Sequence, residues 1–459
     1  MLACLPAASQ EQERVQNQRF DREFQAAVAQ YDTGHFPEAA AQLENLLRDV
    51  PESFEVHELL GLVYTEESKD ALANPHLEKA VRLKPASSAA RTNLATNLLR
   101  MGKLEGAQEQ FKKAVALEPR NYDANHDLGE FYVRMGKLPD AVPFLKEAQQ
   151  INPSSYDNGY DLALAYLLTG GPAQARELVH SLLQKKDTAE LHNLLGQIEE
   201  KDGKFVAASN EFEIAAHQDP SESNLFDWAS ELLMHRTLEP AIEVFRQSTE
   251  RYPNSSRLAI GLGIALYSRG NYDEAVKSLI RAADLSPTDS RCYFFLSKAY
   301  DSAPSQADEV IRRFARFSEL QPNDARALYY YAMSLWKGKR AQDPGLDLHQ
   351  IEALLKKAVA LDPKLAEAHL QLGNLYSDQT QYAVAIPEYV KAVEINAELA
   401  DAHYRLGQAY VHTGKKDSAQ EQFDVYQRLR AQQMADRDKQ RAEVRQFVYS
   451  EKNQTPAEP

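Results

Sequence analysis

Residues 88–153 read SAARTNLATNLLRMGKLEGAQEQFKKAVALEPRNYDANHDLGEFYVRMGKLPDAVPFLKEAQQINP. The segment states one pattern twice. The first copy carries Leu94-Ala95, Leu98, Gly102, Leu104, Ala107, Phe111, Ala114 and Pro119. The second carries Leu128-Gly129, Tyr132, Gly136, Leu138, Ala141, Leu145, Ala148 and Pro153. Pro85, Pro119 and Pro153 are spaced 34 residues apart. The apolar positions of each copy recur at helical spacing in two stripes. Gly102 and Gly136 sit where the first helix must stop, since glycine accepts the left-handed conformation of a helix end. Proline closes the second helix because it lacks an amide hydrogen and restricts the residue before it. The unit is helix, turn, helix, turn, and a fixed period of this size predicts a helical repeat array.

The pattern closely resembles the tetratricopeptide repeat family, in which Leu-Gly, Tyr, a glycine turn, Ala-x3-Phe and a closing proline recur. The second copy departs from it at Asn125, in the tryptophan slot, and at Leu145, in the phenylalanine slot. The resemblance implies an all-α, right-handed α-solenoid of about twelve stacked helix-turn-helix units over residues 20–431. The unit continues in both directions, from Phe20 to Phe423. It is irregular at 291–363, where the turn Asp301 to Ala307 lacks glycine and an insertion spans Lys337 to Asp347. A charged capping helix is expected at 432–449 and a disordered tail at 450–459, because a solenoid needs a polar outer cap.

The 459 residues carry 52 Lys+Arg against 67 Asp+Glu, a formal net charge of −15. That balance argues against nucleic acid as the main partner, since phosphate binding needs a basic surface. No apolar run reaches membrane-spanning length. The two cysteines, Cys4 and Cys292, support neither a metal site nor a disulfide framework. Cys292 falls in a first helix and is expected to be a buried thiol. Residues 1–19 form a separate N-terminal segment. Ala7-Ala8-Ser9 fits a small-residue cleavage site, and Leu2-Ala3-Cys4 is similar to the end of a lipoprotein signal, with Cys4 as the lipidated residue. Export to the periplasm or a lipid anchor stands level with a cytoplasmic location.

No catalytic constellation emerges, and neither a cofactor nor a metal is expected. His57, His192, His369 and His403 occupy the tryptophan slot, a regularity that argues for one repeated packing role. Gly338-Lys339-Arg340 lacks the upstream glycine of a phosphate loop and reads as a solvated turn. Carboxylates are what a soluble helical surface carries.

In the family, a second stripe of each first helix lines the inner surface. In the fourth repeat it matches Asp123, His126, Glu130 and Val133. Early repeats place acids there, including Glu55, Glu58 and Asp157. Later repeats place Phe226, Ile260, Ile264, Tyr267, Phe294, Tyr329, Met333 and Trp336, with Arg257, Arg291, Lys298 and Arg326 beside them. Aromatic residues and arginine anchor interfaces, so these twelve are the candidate docking residues for a peptide with bulky apolar and some acidic side chains. The alternative is that they are buried between neighbouring helices or under the C-terminal helix. The expected function is a non-enzymatic scaffold for protein partners. Two alternatives are a recognition arm for a separate catalytic partner, resembling the arrays of O-linked sugar transferases, and a component of an envelope export or assembly apparatus.

Overall fold

The computed structural model describes residues 7–302, 306–338 and 347–434. Among them there are only helices and turns, with no strand. The chain divides into two compact units, up to Asp187 and from Thr188.

The first unit holds five helix pairs: Ala7–Asp32 with Phe36–Asp49, Phe54–Glu66 with Asp70–Leu83, Ser88–Arg100 with Leu104–Leu117, Tyr122–Arg134 with Leu138–Ile151, and Tyr156–Leu168 with Pro172–Leu183. It ends where the fifth repeat has Asp187 instead of a closing proline. The second unit pairs Ala189–Lys201 with Phe205–Gln218, Glu222–Met234 with Leu238–Arg251, Ser256–Arg269 with Tyr272–Leu285, Ser290–Ser302 with Ala307–Leu320, Ala325–Gly338 with Leu348–Leu361, and Ala366–Asp378 with Tyr382–Ile395. Its last pair is Ala400–His412 with a helix described over 416–434. The pairs follow the repeat read from the sequence, except that the first helix already begins at Ala7, inside the segment expected to stand apart from the array, and the fold is an α-solenoid of helix-turn-helix units.

Local chemistry explains the helix ends. Most first helices begin after a polar side chain that accepts an orphan amide hydrogen. Asn121 Oδ1 accepts from Ala124 N at 3.1 Å, and Ser87 Oγ from Ala90 N at 3.1 Å. The turn after the first helix is left-handed at Gly136, with φ +67°. There, Lys137 N reaches back to Tyr132 O at 2.9 Å. Three repeats make the same turn without glycine, at Ser68, Arg236 and Thr380.

Within a repeat the two helices meet through small and large residues in fixed slots. Ala141, Leu145 and Ala148 are fully buried. A side chain at Gly129 would place its Cβ 2.5 Å from Leu145 Cδ2, so glycine suits this repeat, while the third fills the same slot with the buried Ala95. The tyrosine slot ties a repeat to its predecessor: Tyr132 OH accepts from Gln108 Nε2 at 3.1 Å, and Tyr376 OH donates to Glu352 Oε1 at 3.0 Å. Cys292 is buried, as its helix position implies, and burial pushes its thiol up to about 12.

The histidines of the tryptophan slot are packing residues with a polar task. Each bonds a residue 19 positions on, in the second helix of its own repeat. The pairs are His57 with His76, His192 with Glu211, His369 with Glu388, and His403 with Gln422. Arg91 does the same with Gln110. Trp228 packs between repeats, its ring 5.5 Å from that of His217.

Several expectations fall outside the described residues: Cys4, the middle of the turn after Ser302, most of the Lys337–Asp347 insertion including Lys339 and Arg340, and nearly all of the 432–449 helix and the tail.

Candidate docking cleft

Three successive first helices of the second unit, Glu222–Met234, Ser256–Arg269 and Ser290–Ser302, pack side by side. Helical spacing puts Phe226, Ser230 and Leu233 on one face of the first. It puts Arg257, Ile260, Gly261 and Ile264 on one face of the second. Together with Phe245, Arg291 and Phe295 these residues line a cavity of about 170 Å³. Five of the twelve expected residues are therefore brought together: Phe226, Arg257, Ile260, Ile264 and Arg291.

The floor is apolar and close-packed. Phe226 meets Phe245 edge-on at 6.0 Å between ring centroids. Ile260 is only 7% exposed, and Ile264 is half-buried. Gly261 leaves the space in which the Phe245 ring lies, since a Cβ there would overlap that ring. Cations stand at the rim. The Arg257 guanidinium lies 4.2 Å from the Phe226 ring centroid, a cation–π contact, and donates to Glu222 O at 3.4 Å. Arg291 is exposed and held by Asp289, with Nη2 to Oδ2 at 2.7 Å. The same arginine holds the Asp289 carboxyl below its ordinary range.

The other seven lie apart from the cavity. Tyr267 is half-buried against the Tyr272 ring at 5.5 Å. Phe294 is 39% exposed and pairs with Lys298, whose Nζ is 5.8 Å from its ring centroid. Arg326 is exposed. The tenth-repeat residues are packed inward. Met333 is only 7% exposed, Tyr329 and Trp336 pack against buried core residues, and burial raises the Tyr329 hydroxyl well above its ordinary range. Leu355 of the paired helix Leu348–Leu361 belongs to the core on which Tyr329 and Trp336 pack.

Reading one stripe missed the neighbouring slot. Phe295 follows Gly261 by 34 residues, and Gly261 follows Asp227 by 34. In the first unit the same slot holds Asp127 and Asp161. Burial raises both carboxyls, that of Asp127 to about 6 with help from Glu130 and Asp123. The signal was available, because an apolar stripe on a helix is wider than one row of residues. His126, Asp127 and Glu130 also bring one ligand atom each within 4.8 Å of one another. These three half-buried donors come from a little over one helical turn, short of the four ligands of a closed zinc site.

Comparison with known proteins follows the same architecture. Tetratricopeptide repeat models match residues 24–88, 92–156 and 226–290, and a further one matches 133–198. A TPR repeat model matches 373–414, and another tetratricopeptide repeat model 400–429. No curated protein sequence matches. Among solved structures, the chain is similar to a tetratricopeptide repeat protein from Parabacteroides merdae, at 16% identity and a TM-score of 0.42, over 54% of this chain and 98% of that one. It is also similar to a chain of the APC/C hetero-tetramer Cut9-Hcn1, at 15% identity and a TM-score of 0.40, over 90% and 93%. A third is a chain of Naa15/Naa10 bound to HypK-THB, at 16% identity and a TM-score of 0.37, over 89% and 68%. These superpositions are shallow, and the assignment rests on the repeat models, which together span more than half of the sequence. The chain belongs to the tetratricopeptide repeat family.

Proposed function

We propose that this protein is a non-enzymatic scaffold that binds a segment of a partner protein in the Phe226–Phe295 cleft. Membership of a family of protein-interaction repeats supports the scaffold role. The carrying observation for the site is the cavity of about 170 Å³ with an apolar floor and arginines at its rim. A cavity of about 150 Å³ is enough to hold benzene, so this one accepts a single leucine- or phenylalanine-sized anchor. Arginine and aromatic side chains in a desolvated pocket are the usual composition of an interface hot spot. The segment it fits has a bulky apolar side chain with a carboxylate nearby.

The test is affinity capture with mass spectrometry, comparing the full chain with Ile264→Glu and Phe226→Ala. Both variants should lose a common set of partners while keeping the melting temperature within a few degrees of the parent. Capture of the same proteins by all three, at equal stability, would overturn the assignment of the site.

A further inference from the structure

We infer that the segment received by the cleft is an acidic amphipathic helix lying along the array, with carboxylates about one heptad apart. This rests on the reading of the cleft as a docking site and specifies what enters it. Two observations carry it.

The first is the poverty of backbone partners. Apart from the two guanidinium groups, Ser230 is the sole polar side chain among the lining residues. An extended peptide would bring an unpaired amide and carbonyl at every residue over an apolar floor, and each one buried without a partner is costly. A helix satisfies its own backbone, so it can lay an apolar face on such a surface.

The second is a row of charge that begins at the rim with Arg257 and Arg291 and continues past the cavity to Arg326. Arg257, Arg291 and Arg326 fall 34 and 35 residues apart, at the same slot of three successive first helices. Glu222 Oε1 lies 3.7 Å from Arg257 Nε, and Asp289 engages Nε and Nη2 of Arg291 at 3.0 and 2.7 Å, which leaves Arg291 Nη1 without a hydrogen bond among the described residues. Arg326 has no ion-pair partner among the described residues. Packed helices lie roughly 8–10 Å apart. A ligand helix rises about 1.5 Å per residue, so one step of the arginine row matches about five to seven residues, and seven, close to two full turns, is the spacing that returns a side chain to the same face. The complementary ligand therefore places Asp or Glu at i and i+7, with apolar side chains at i+3 or i+4 pointing into the cavity.

The experiment is a display selection of random peptides of about 16 residues, long enough for four helical turns, against the full chain. Ile264→Glu and the double variant Arg257→Glu/Arg291→Glu, at one half-buried and one exposed position, run in parallel, each checked by circular dichroism. Peptides that lose at least tenfold in affinity on Ile264→Glu should share the i, i+7 carboxylates and the intervening apolar residues. Synthetic copies should lose at least tenfold again on the arginine variant, and a central proline should abolish binding. Cleft-dependent peptides that contain proline, or lack the spacing, would overturn the helix while leaving the docking site standing. The absence of any peptide sensitive to either variant would overturn both.

Discussion

His369 Nδ1 and Glu388 Oε2 stand 2.7 Å apart, joining the first and second helices of one repeat across 19 residues of sequence. The carboxylate can only accept, so the imidazole donates. His192 and Glu211 repeat the arrangement at 2.6 Å. Hydrogen bonds to charged groups contribute about 1.5–3 kcal/mol. Glu388→Ala should therefore cost about 1–2 kcal/mol in urea denaturation, and a double-mutant cycle with His369→Ala should show most of that as coupling. A coupling near zero would reduce the pair to a coincidence of packing.

His76 makes the second repeat sensitive to acid. His57 Nε2 faces the carbonyl of Pro51 at 3.0 Å and must donate to it, so His57 Nδ1 accepts from His76 Nδ1 at 3.0 Å. Burial and then the neighbouring His57 lower the His76 pKa, with Glu44 opposing weakly. The unfolded chain then binds more protons than the folded one, and stability falls as pH drops below about 6.5, the ordinary histidine value. His76→Gln keeps a donor and removes the titration. Its melting temperature should fall less than that of the parent between about pH 7.5 and 5.5. Equal slopes would count against the assignment.

Asp127 predicts the opposite sign. Its pKa, raised to about 6, means that the folded protein holds a carboxylate in a place that disfavours its charge. The penalty is complete above about pH 6 and fades as pH falls toward the ordinary carboxyl range. Asp127→Asn should stabilise the chain by on the order of 1 kcal/mol at pH 7 and by almost nothing near pH 4. Thermal melts at the two pH values check both parts.

The backbone stores a further reserve at Thr380, a β-branched residue held at φ +61° where other repeats have glycine. Left-handed non-glycine residues cost about 1–3 kcal/mol, against roughly 0.5–1 kcal/mol for the added freedom of glycine in the unfolded chain. Thr380→Gly should raise stability by about 0.5–2 kcal/mol. A drop in the urea midpoint would show that the turn is relaxed as it stands.

Gly261 should tolerate nothing larger. An alanine there would overlap the Phe245 ring under the cleft floor, and overpacking of this kind costs about 1–3 kcal/mol. Gly261→Ala should lower the melting temperature, and adding Phe245→Leu should recover part of the loss. No loss in the single variant would mean that the floor yields more readily than its packing suggests.

The family was legible because its slots are set by local rules. Glycine and proline mark helix ends wherever they occur, and Leu128, Tyr132 and Ala141 report helical faces without knowledge of their neighbours. The turns at Ser68, Arg236 and Thr380 were not legible, since nothing in those side chains signals a left-handed backbone. Half of the cleft was readable for the same reason as the fold. Phe226, Ile260 and Ile264 share a stripe. Phe295 and Gly261 escaped because the face is wider than one row. Of the expected docking residues of the tenth repeat, Met333 is buried, and Tyr329 and Trp336 are half-buried against core residues. Their environment depends on several neighbouring helices that one stripe of residues does not reveal, and the paired helix Leu348–Leu361 follows an insertion of a length that the period could not register.

The polar clips that close five of the repeats span only 19 residues, and the tyrosine links reach back only 24. Contacts this local carry a small loop-closure cost, and chains rich in them fold fast. During synthesis a helix pair can close soon after its second helix appears, and each new pair then docks on one already formed. The chain can thus grow as a sequence of short folding events, none of which waits for its far end.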